Sequence, residues 1–295
     1  MAKAATKTKT PPPTANKKTG TAVSKIKEGA VGAADDLLKM MEQDAGKGVS
    51  TRAEDNVVPL LYVLQSNSPQ LDRSDAQYIK GAKAGDYWVR GTQVVIDGEE
   101  EGLDFVPCFH WHGWVQWGAD RGGFKGRHDE RPKSAREIDH PTKEGRKVWV
   151  MPDATGKYNA KCDTLSETIQ YAGIITSLDA PISLVVPFKS TGLTPAKLWM
   201  GLINAKVMSN GKTFPIYSHV YRLKTVAKKN DDGSWYQPII TDAGGDDEGA
   251  EAMMISDMAL YKAAKKIHDD FSSGALRADA DVSEETSNEE DDSDM

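Results

Sequence analysis

Aromatic and histidine side chains recur at every second position in two segments, a spacing that places them on one face of a β-strand. In segment 214–227, Tyr217, His219 and Tyr221 alternate with more apolar residues, so we predict that they share the wetter face of a strand. Flat rings about 7 Å apart on an exposed sheet can each stack on one nucleobase. The segment therefore predicts binding of unpaired nucleic acid, and simple strand propensity of tyrosine is the alternative.

The same reasoning applies to segment 103–117. Its odd positions are predicted to face a core, whereas His110, His112 and Trp114 are predicted to lie on the opposite face. Rings beside polar atoms again suit base stacking, and a second small core or an interface is the alternative.

Cys108, His110 and His112 are predicted to share that strand face, and all three side-chain types bind zinc. A fourth ligand could come from Cys162, His128 or His140. Structural zinc sites usually draw ligand pairs from tight turns, whereas this triplet lies on a predicted strand. We therefore predict no metal site and no cofactor, with zinc as the alternative.

Basic residues surround both segments. Between residues 180 and 230 there is no Asp or Glu, yet eight Lys or Arg occur there. Segment 118–147 adds further cations in what we predict to be a mobile basic loop or an extended hairpin. Lys and Arg contact phosphates without reading sequence, and a solvated surface is the alternative. The predicted nucleic-acid-binding residues are His110, His112, Trp114, Arg121, Lys125, Arg127, Lys189, Lys197, Trp199, Lys206, Lys212, Tyr217, His219, Tyr221, Arg222 and Lys224.

Motifs of common enzymes are absent from the sequence. There is no GxxxxGK[ST] phosphate loop and no GxSxG nucleophile turn. Carboxylates that a metal-dependent nuclease could use are scattered near predicted turns, where capping roles are commoner: Asp86, Asp97, Asp104 and Asp163. We therefore predict a binding protein that is not an enzyme, and a nuclease is the least favoured alternative.

Charge is segregated along the chain. The formal net charge is −7, but the last seventeen residues carry nine carboxylates and no Lys or Arg. The first 27 residues hold seven Lys, so residues 28–278 sum to −5. Binding of nucleic acid must therefore come from local patches and the basic arm. The acidic tail ends in an apolar residue, which suits docking on a partner and competition with nucleic acid; the residues predicted for this role are Glu289, Glu290, Asp291, Asp292, Asp294 and Met295.

The elements that must position these residues are short apolar strands and two or three helices. We predict strands over Leu103–Trp117 and Phe214–Ala227, and helices from Thr194 to about Met208 and over Glu251–Phe271. The predicted fold class is α+β, mostly antiparallel β, with an OB-like or Greek-key barrel core and disordered termini. The predicted boundaries are 1–33 for a disordered basic arm, 34–55 for a short helix and linker, 56–244 for an OB-like nucleic-acid-binding core with the basic loop 118–147, 245–274 for a C-terminal helix, and 275–295 for a disordered acidic tail.

Cysteine content and hydropathy predict the compartment. The chain has two cysteines, and no apolar run approaches the ~20 residues of a membrane helix. The N-terminal lysines are not followed by an apolar segment, unlike those of a secretory signal. We predict free thiols, a reducing compartment and no membrane partner.

Three further segments carry a resemblance over roughly residues 56–225. They are PLLYVLQSNSPQ with the later GAKAGDYW, then GLDFVPCFHWHGWVQWG, then LSETIQYAGII followed by LVVPFKSTGLTPAKLW. Together they resemble a family of phage-encoded single-stranded DNA-binding proteins with an OB-like core. The resemblance implies sequence-independent coating of single strands during phage DNA replication, recombination or repair, in the cytoplasm of the infected bacterium.

The partners that follow from this reading are single-stranded DNA and, through the acidic tail, phage or host replication and recombination proteins. Self-association into a homo-oligomer is left open. The alternative function is that of a phage structural or assembly protein, such as a virion or scaffold component that uses its charged termini for self-association.

Overall fold

The computed structural model describes residues 57–119, 123–141, 144–178, 180–230, 233–244 and 253–278, together with Met40 and Gln43. Contacts divide the chain into one unit of Met1–Ser50 and a second of Thr51–Met295. In the first unit only Met40 and Gln43 are described, and both are helical. The predicted basic arm 1–33, residues 279–295 of the predicted acidic tail and Arg121 lie outside the described residues, whereas Arg277–Ala278 near the start of that predicted tail form a strand.

The second unit is built mainly of strands. They are β1 (Val57–Val58), β2 (Leu61–Val63), β3 (Tyr87–Val89), β4 (Val95–Ile96), β5 (Leu103–Trp117), β6 (Phe124–His128), β7 (Arg136–Asp139), β8 (Lys147–Val150), β9 (Thr164–Ile175), β10 (Ile182–Lys189), β11 (Tyr221–Asn230), β12 (Gly233–Asp242) and β13 (Arg277–Ala278). The helices of this unit are α1 (Leu193–Asn204) and α2 (Met258–Ser273). Short 3-10 turns occur at Pro69–Leu71, Ser190–Gly192 and Ile216–Ser218.

Strands β5 and β9 form the spine of an eight-stranded sheet. The strand order is β12-β11-β5-β9-β8-β7, and in addition β6 pairs with β5 and β10 pairs with β9. All pairings in this sheet are antiparallel. The long spine strands meet different neighbours at their two ends: β11 and then β6 along β5, and β10 and then β8 along β9. This confirms the mostly antiparallel α+β class, although the described strands do not close into a barrel.

A β-bulge at Cys108 exchanges the two faces of β5. Pro107 pairs with Gly173, whereas Phe109 pairs with Ala172, so Cys108 is the extra residue. The backbones approach closely here, since a Cβ on Gly173 would lie 2.1 Å from the carbonyl oxygen of Val106. Only glycine fits at that position, and the bulge reverses the alternation of side chains beyond it.

The sheet therefore has two faces, which we name after the helices that cover them. On the α1 face, Leu103 and Phe105 pack with Trp199 in the main core. On the α2 face, Val106 and Cys108 pack with helix α2. Beyond the bulge the odd residues of β5 change sides, so the predicted single core face of odd positions is wrong.

Helix α2 begins and ends with capping residues that the sequence contains. The Asp257 carboxylate accepts a hydrogen bond of 2.8 Å from the backbone N–H of Ala259. Gly274 ends the helix in the left-handed conformation. The predicted start at Glu251 is wrong, because Met254 pairs instead with His219 in an isolated bridge before the helix. No helix in the described ranges is long and apolar enough to span a membrane.

The basic segment 118–147 contains regular structure. β6 folds back on β5, and β7 pairs with β8. The described part of the segment thus contributes β6 and β7 to two separate strand pairings. The β5–β6 hairpin carries two of its cations, Lys125 and Arg127, on β6.

The predicted ring surface around Tyr221 is wrong. Residues 216–218 form a 3-10 turn, and the strand begins only at Tyr221, so strand alternation does not apply to Tyr217 and His219. Tyr221 is 1% exposed, His219 is 6% exposed and Trp199 is 0% exposed. Tyr217 packs on α2, with its ring centre 5.5 Å from that of Tyr261. Tyr221, His219 and Trp199 are therefore not open to a stacked base, and the half-buried Tyr217 ring is packed against α2.

Candidate nucleic-acid interface

Beyond the bulge, the α2 face carries an open groove between β5, β6 and β9. It consists of two hollows of about 450 and 210 Å³. Both hollows are lined by Val115, Arg127, Thr168 and Gln170. Because these residues border both, we treat the hollows as one feature, the β5–β9 groove.

Aromatic rings line the groove. Trp111 and Trp117 come from β5, where alternation beyond the bulge sends odd residues to this face. The hairpin register pairs Phe124 of β6 with Trp117, and their ring centres are 6.2 Å apart. Tyr62 of β2 lines the smaller hollow. Trp117 is 37% exposed, so its ring is accessible from the groove.

Cations outnumber carboxylates in the same groove. Lys125 and Arg127 come from β6, Lys189 ends β10, and Arg277 lies in β13. Among the described lining residues the one carboxylate is Asp129. Four cations against one carboxylate favour a polyanionic ligand.

The floor of the groove is polar and unsatisfied. Thr168 and Gln170 are 8% and 4% exposed. Thr168 Oγ1 and Gln170 Oε1 have no hydrogen-bond partner among the described residues. Gly113 lies opposite Thr168 on β5, and a Cβ there would stand 3.3 Å from Thr168 Oγ1. Glycine at position 113 thus avoids a close side-chain contact with this buried hydroxyl.

Residues 26–277 match the sequence model of the family described as Pam3 phage gp34-like protein. The chain belongs to this family. No curated protein and no solved structure matches it. In this gp34-like chain the matched range includes every residue of the β5–β9 groove, so the groove belongs to the part that the family shares.

The gp34-like chain brings some of the predicted binding cations into the groove and pairs others elsewhere. Lys125, Arg127 and Lys189 line it. Three other cations of the acid-free segment 180–230 instead pair with carboxylates on other elements. Lys206 Nζ lies 2.7 Å from Asp242.

Two further cations of that segment are paired in the same way. Lys197 Nζ lies 3.1 Å from Glu167, and Arg222 binds Asp104 through both Nε and Nη2. Lys212 is exposed away from the groove, and Lys224 lies on β11. The absence of acids in the sequence segment therefore does not make a uniformly basic surface.

The predicted rings His110 and His112 lie on the α1 face, opposite the groove. His110 packs on Tyr171 at 4.8 Å between ring centres, and His112 Nδ1 is 3.4 Å from Glu167. The Trp114 ring packs near Trp149, although the residue also borders the larger hollow.

A zinc triplet on one face is excluded by the bulge. Cys108 is buried on the α2 face, whereas His110 and His112 lie on the α1 face. Burial raises the pKa of the Cys108 thiol. Within the described ranges, no three His, Cys, Asp or Glu side chains come together in a group that could hold a metal ion.

His110 gives a testable pH dependence. Desolvation, with a smaller contribution from the neighbouring His112, lowers the pKa of His110 from the ordinary histidine value of 6.5 to about 4. The unfolded chain therefore binds more protons between pH 6.5 and 4, so stability falls as the pH falls through that window. We expect His110→Gln to show a shallower decline of Tm between pH 6.5 and 4.5 than the natural chain. Equal slopes in thermal unfolding by circular dichroism would show that His110 titrates normally in the fold.

Proposed function

We propose that the chain binds single-stranded DNA along the β5–β9 groove and that it is not an enzyme. The observation that carries this proposal is the convergence of four rings and four cations on one open groove. Stacking on rings holds bases of any kind, while Lys and Arg hold the phosphates. Bases inside a duplex are already stacked on one another, so the groove favours unpaired strands.

Since the chain belongs to a phage protein family, we propose that this binding serves phage DNA replication, recombination or repair. With it we propose the cytoplasm of the infected bacterium as the location and recruitment of replication proteins through the acidic tail. We also propose that the antiparallel core is related to the OB fold. The binding mechanism itself needs only the open β5–β9 face and not a closed barrel.

An exposed methionine patch favours a second candidate function, that of a phage structural or assembly protein. Met253, Met254 and Met258 precede or begin α2, and each is at least half exposed. Clustered methionines adapt to apolar partner surfaces. Self-association that is lost in a triple Met→Ser variant, without any binding of DNA, would favour this candidate.

Titration of intrinsic Trp fluorescence with oligo-dT tests the proposed function. We expect quenching at low salt, weaker binding at higher salt and a preference for single over double strands. Trp117→Ala should weaken binding about tenfold, because stacking is worth ~1–3 kcal/mol per base. Trp149→Ala is the matched control, since its ring packs on the α1 face beside Arg131, and its affinity should stay within about twofold.

Three outcomes would count against the proposal. Equal losses in Trp117→Ala and Trp149→Ala would move the site away from the groove. Cleavage of the oligonucleotide after addition of Mg²⁺ would indicate a nuclease. No binding at any salt concentration would leave the assembly role as the better reading.

A further inference from the structure

The floor of the β5–β9 groove carries buried polar side chains that take no part in ring stacking. Thr168 and Gln170 are more than nine-tenths buried, and both border both hollows. Their oxygens Oγ1 and Oε1 lack a partner among the described residues. Buried polar atoms are nearly always hydrogen-bonded, because leaving one unpaired costs about 1–3 kcal/mol. Two such atoms side by side in one groove therefore point to a ligand group that completes them.

Their placement defines how that group must approach. The two residues are two apart on β9, so they share a face with their Cα atoms about 6.6 Å apart. The register sets Thr168 opposite Gly113 and Gln170 opposite Trp111. A base lying beside the Trp111 ring would thus present its edge to Gln170, and the missing side chain at Gly113 leaves room over Thr168.

The donor and acceptor types identify the edge. A Gln Oε1 atom only accepts hydrogen bonds, and a Thr hydroxyl accepts as well as donates. An exocyclic amino group supplies two N–H donors from one nitrogen, whereas a carbonyl oxygen at the same ring position would face an acceptor. Cytosine and adenine carry such an amino group on the edge that faces the major groove in a duplex, whereas thymine and uracil carry a carbonyl on that edge.

We propose that Thr168 and Gln170 form a subsite for one nucleobase with an exocyclic amino group, so that the groove is base-selective at one position. The inference rests on the proposed single-stranded DNA binding and adds a preference to it. The neighbouring cations Lys125 and Arg127 hold the backbone without regard to base, so the selectivity comes from the floor alone.

Oligo-dC and oligo-dU of equal length test the subsite at pH 8, since the two pyrimidines differ at the amino or carbonyl position. We expect the natural chain to bind oligo-dC about tenfold more tightly, as one good pair of base hydrogen bonds allows. Thr168→Val with Gln170→Leu should abolish this preference, so that the variant binds oligo-dC and oligo-dU with equal affinity. Apolar replacements of unpaired buried polar groups tend to be neutral or stabilising, so this variant should fold.

Two further variants separate the possible failures. Gly113→Ala places a Cβ close to Thr168 and should also reduce the preference for oligo-dC, with its Tm as the check on folding. Lys125→Ala should weaken binding of both oligonucleotides by the same factor. Equal affinity of the natural chain for oligo-dC and oligo-dU would overturn the subsite alone, whereas failure to bind either would overturn the proposed function.

Discussion

Replacing Trp199 with Ala is expected to lower the free energy of unfolding by about 3–5 kcal/mol. The side chain is completely buried, and its ring stacks on Tyr171 with 4.2 Å between ring centres. It also meets Phe105, Phe188 and Tyr221 edge to face, at 5.7 to 6.1 Å. Removing the indole opens a cavity where helix α1 packs on the sheet, and equilibrium denaturation by urea measures the loss.

Two control variants test whether the loss of stability comes from the buried position of the Trp199 ring. Trp199→Phe should cost far less than Trp199→Ala, because it keeps a ring and removes an indole N–H that has no partner among the described residues. Trp117→Ala makes the same substitution in the groove, where the ring is partly exposed, and should cost about 1 kcal/mol or less. A loss for Trp199→Ala as small as that for Trp117→Ala would mean that Trp199 is not a core residue.

The local pattern of apolar and aromatic residues was sufficient to predict where the long strands lie in the sequence. β5 spans Leu103–Trp117, the range that the run of apolar and aromatic residues predicts. β9 and β10 likewise consist of β-branched and apolar runs of the kind that favours strands. These segments are long and strongly patterned, so propensity and burial agree along their whole length.

The sheet face on which each side chain lies was less predictable from the sequence than the positions at which the long strands begin and end. One extra residue at Cys108 reverses the alternation of β5, and nothing in the run of aromatic residues marks where such a residue falls. A 3-10 turn before Tyr221 likewise replaces the predicted start of β11. In both places tertiary pairing decides which side of the sheet a ring takes. Tyr221 therefore lies in the core, and the exposed His112 lies on the face opposite the groove.

Part of the groove could not be predicted from the sequence, because strands distant along the chain bring its residues together. Arg277 and Tyr62 reach the groove from opposite ends of the described chain, through β13 and β2. Gly113 between large aromatic residues was a usable local signal, because a strand position without a side chain often marks a close approach or a hollow. Gln170 gave no such signal, since its neighbours in β9 resemble an ordinary buried strand.

Charge reversal in the groove is expected to have the largest effect on binding. Lys125→Glu with Arg127→Glu removes two of the four lining cations and adds two carboxylates. We expect affinity for oligo-dT at low salt to fall at least about 100-fold, or ~2.7 kcal/mol. The slope of log K against log salt should become shallower by at least about 1.4, because about 0.7 is lost per phosphate contact on a single strand.

Lys228→Glu with Lys229→Glu is the matched control. These exposed lysines lie at the far end of β11, outside the groove, and their reversal changes the net charge by the same amount. If binding depended only on the overall field of the protein, the two variants would lose affinity equally. A loss confined to the groove variant, with its Tm close to that of the natural chain, would show that the phosphates contact β6. Equal losses would contradict the assignment of the groove, because the local cations would then act no differently from distant ones.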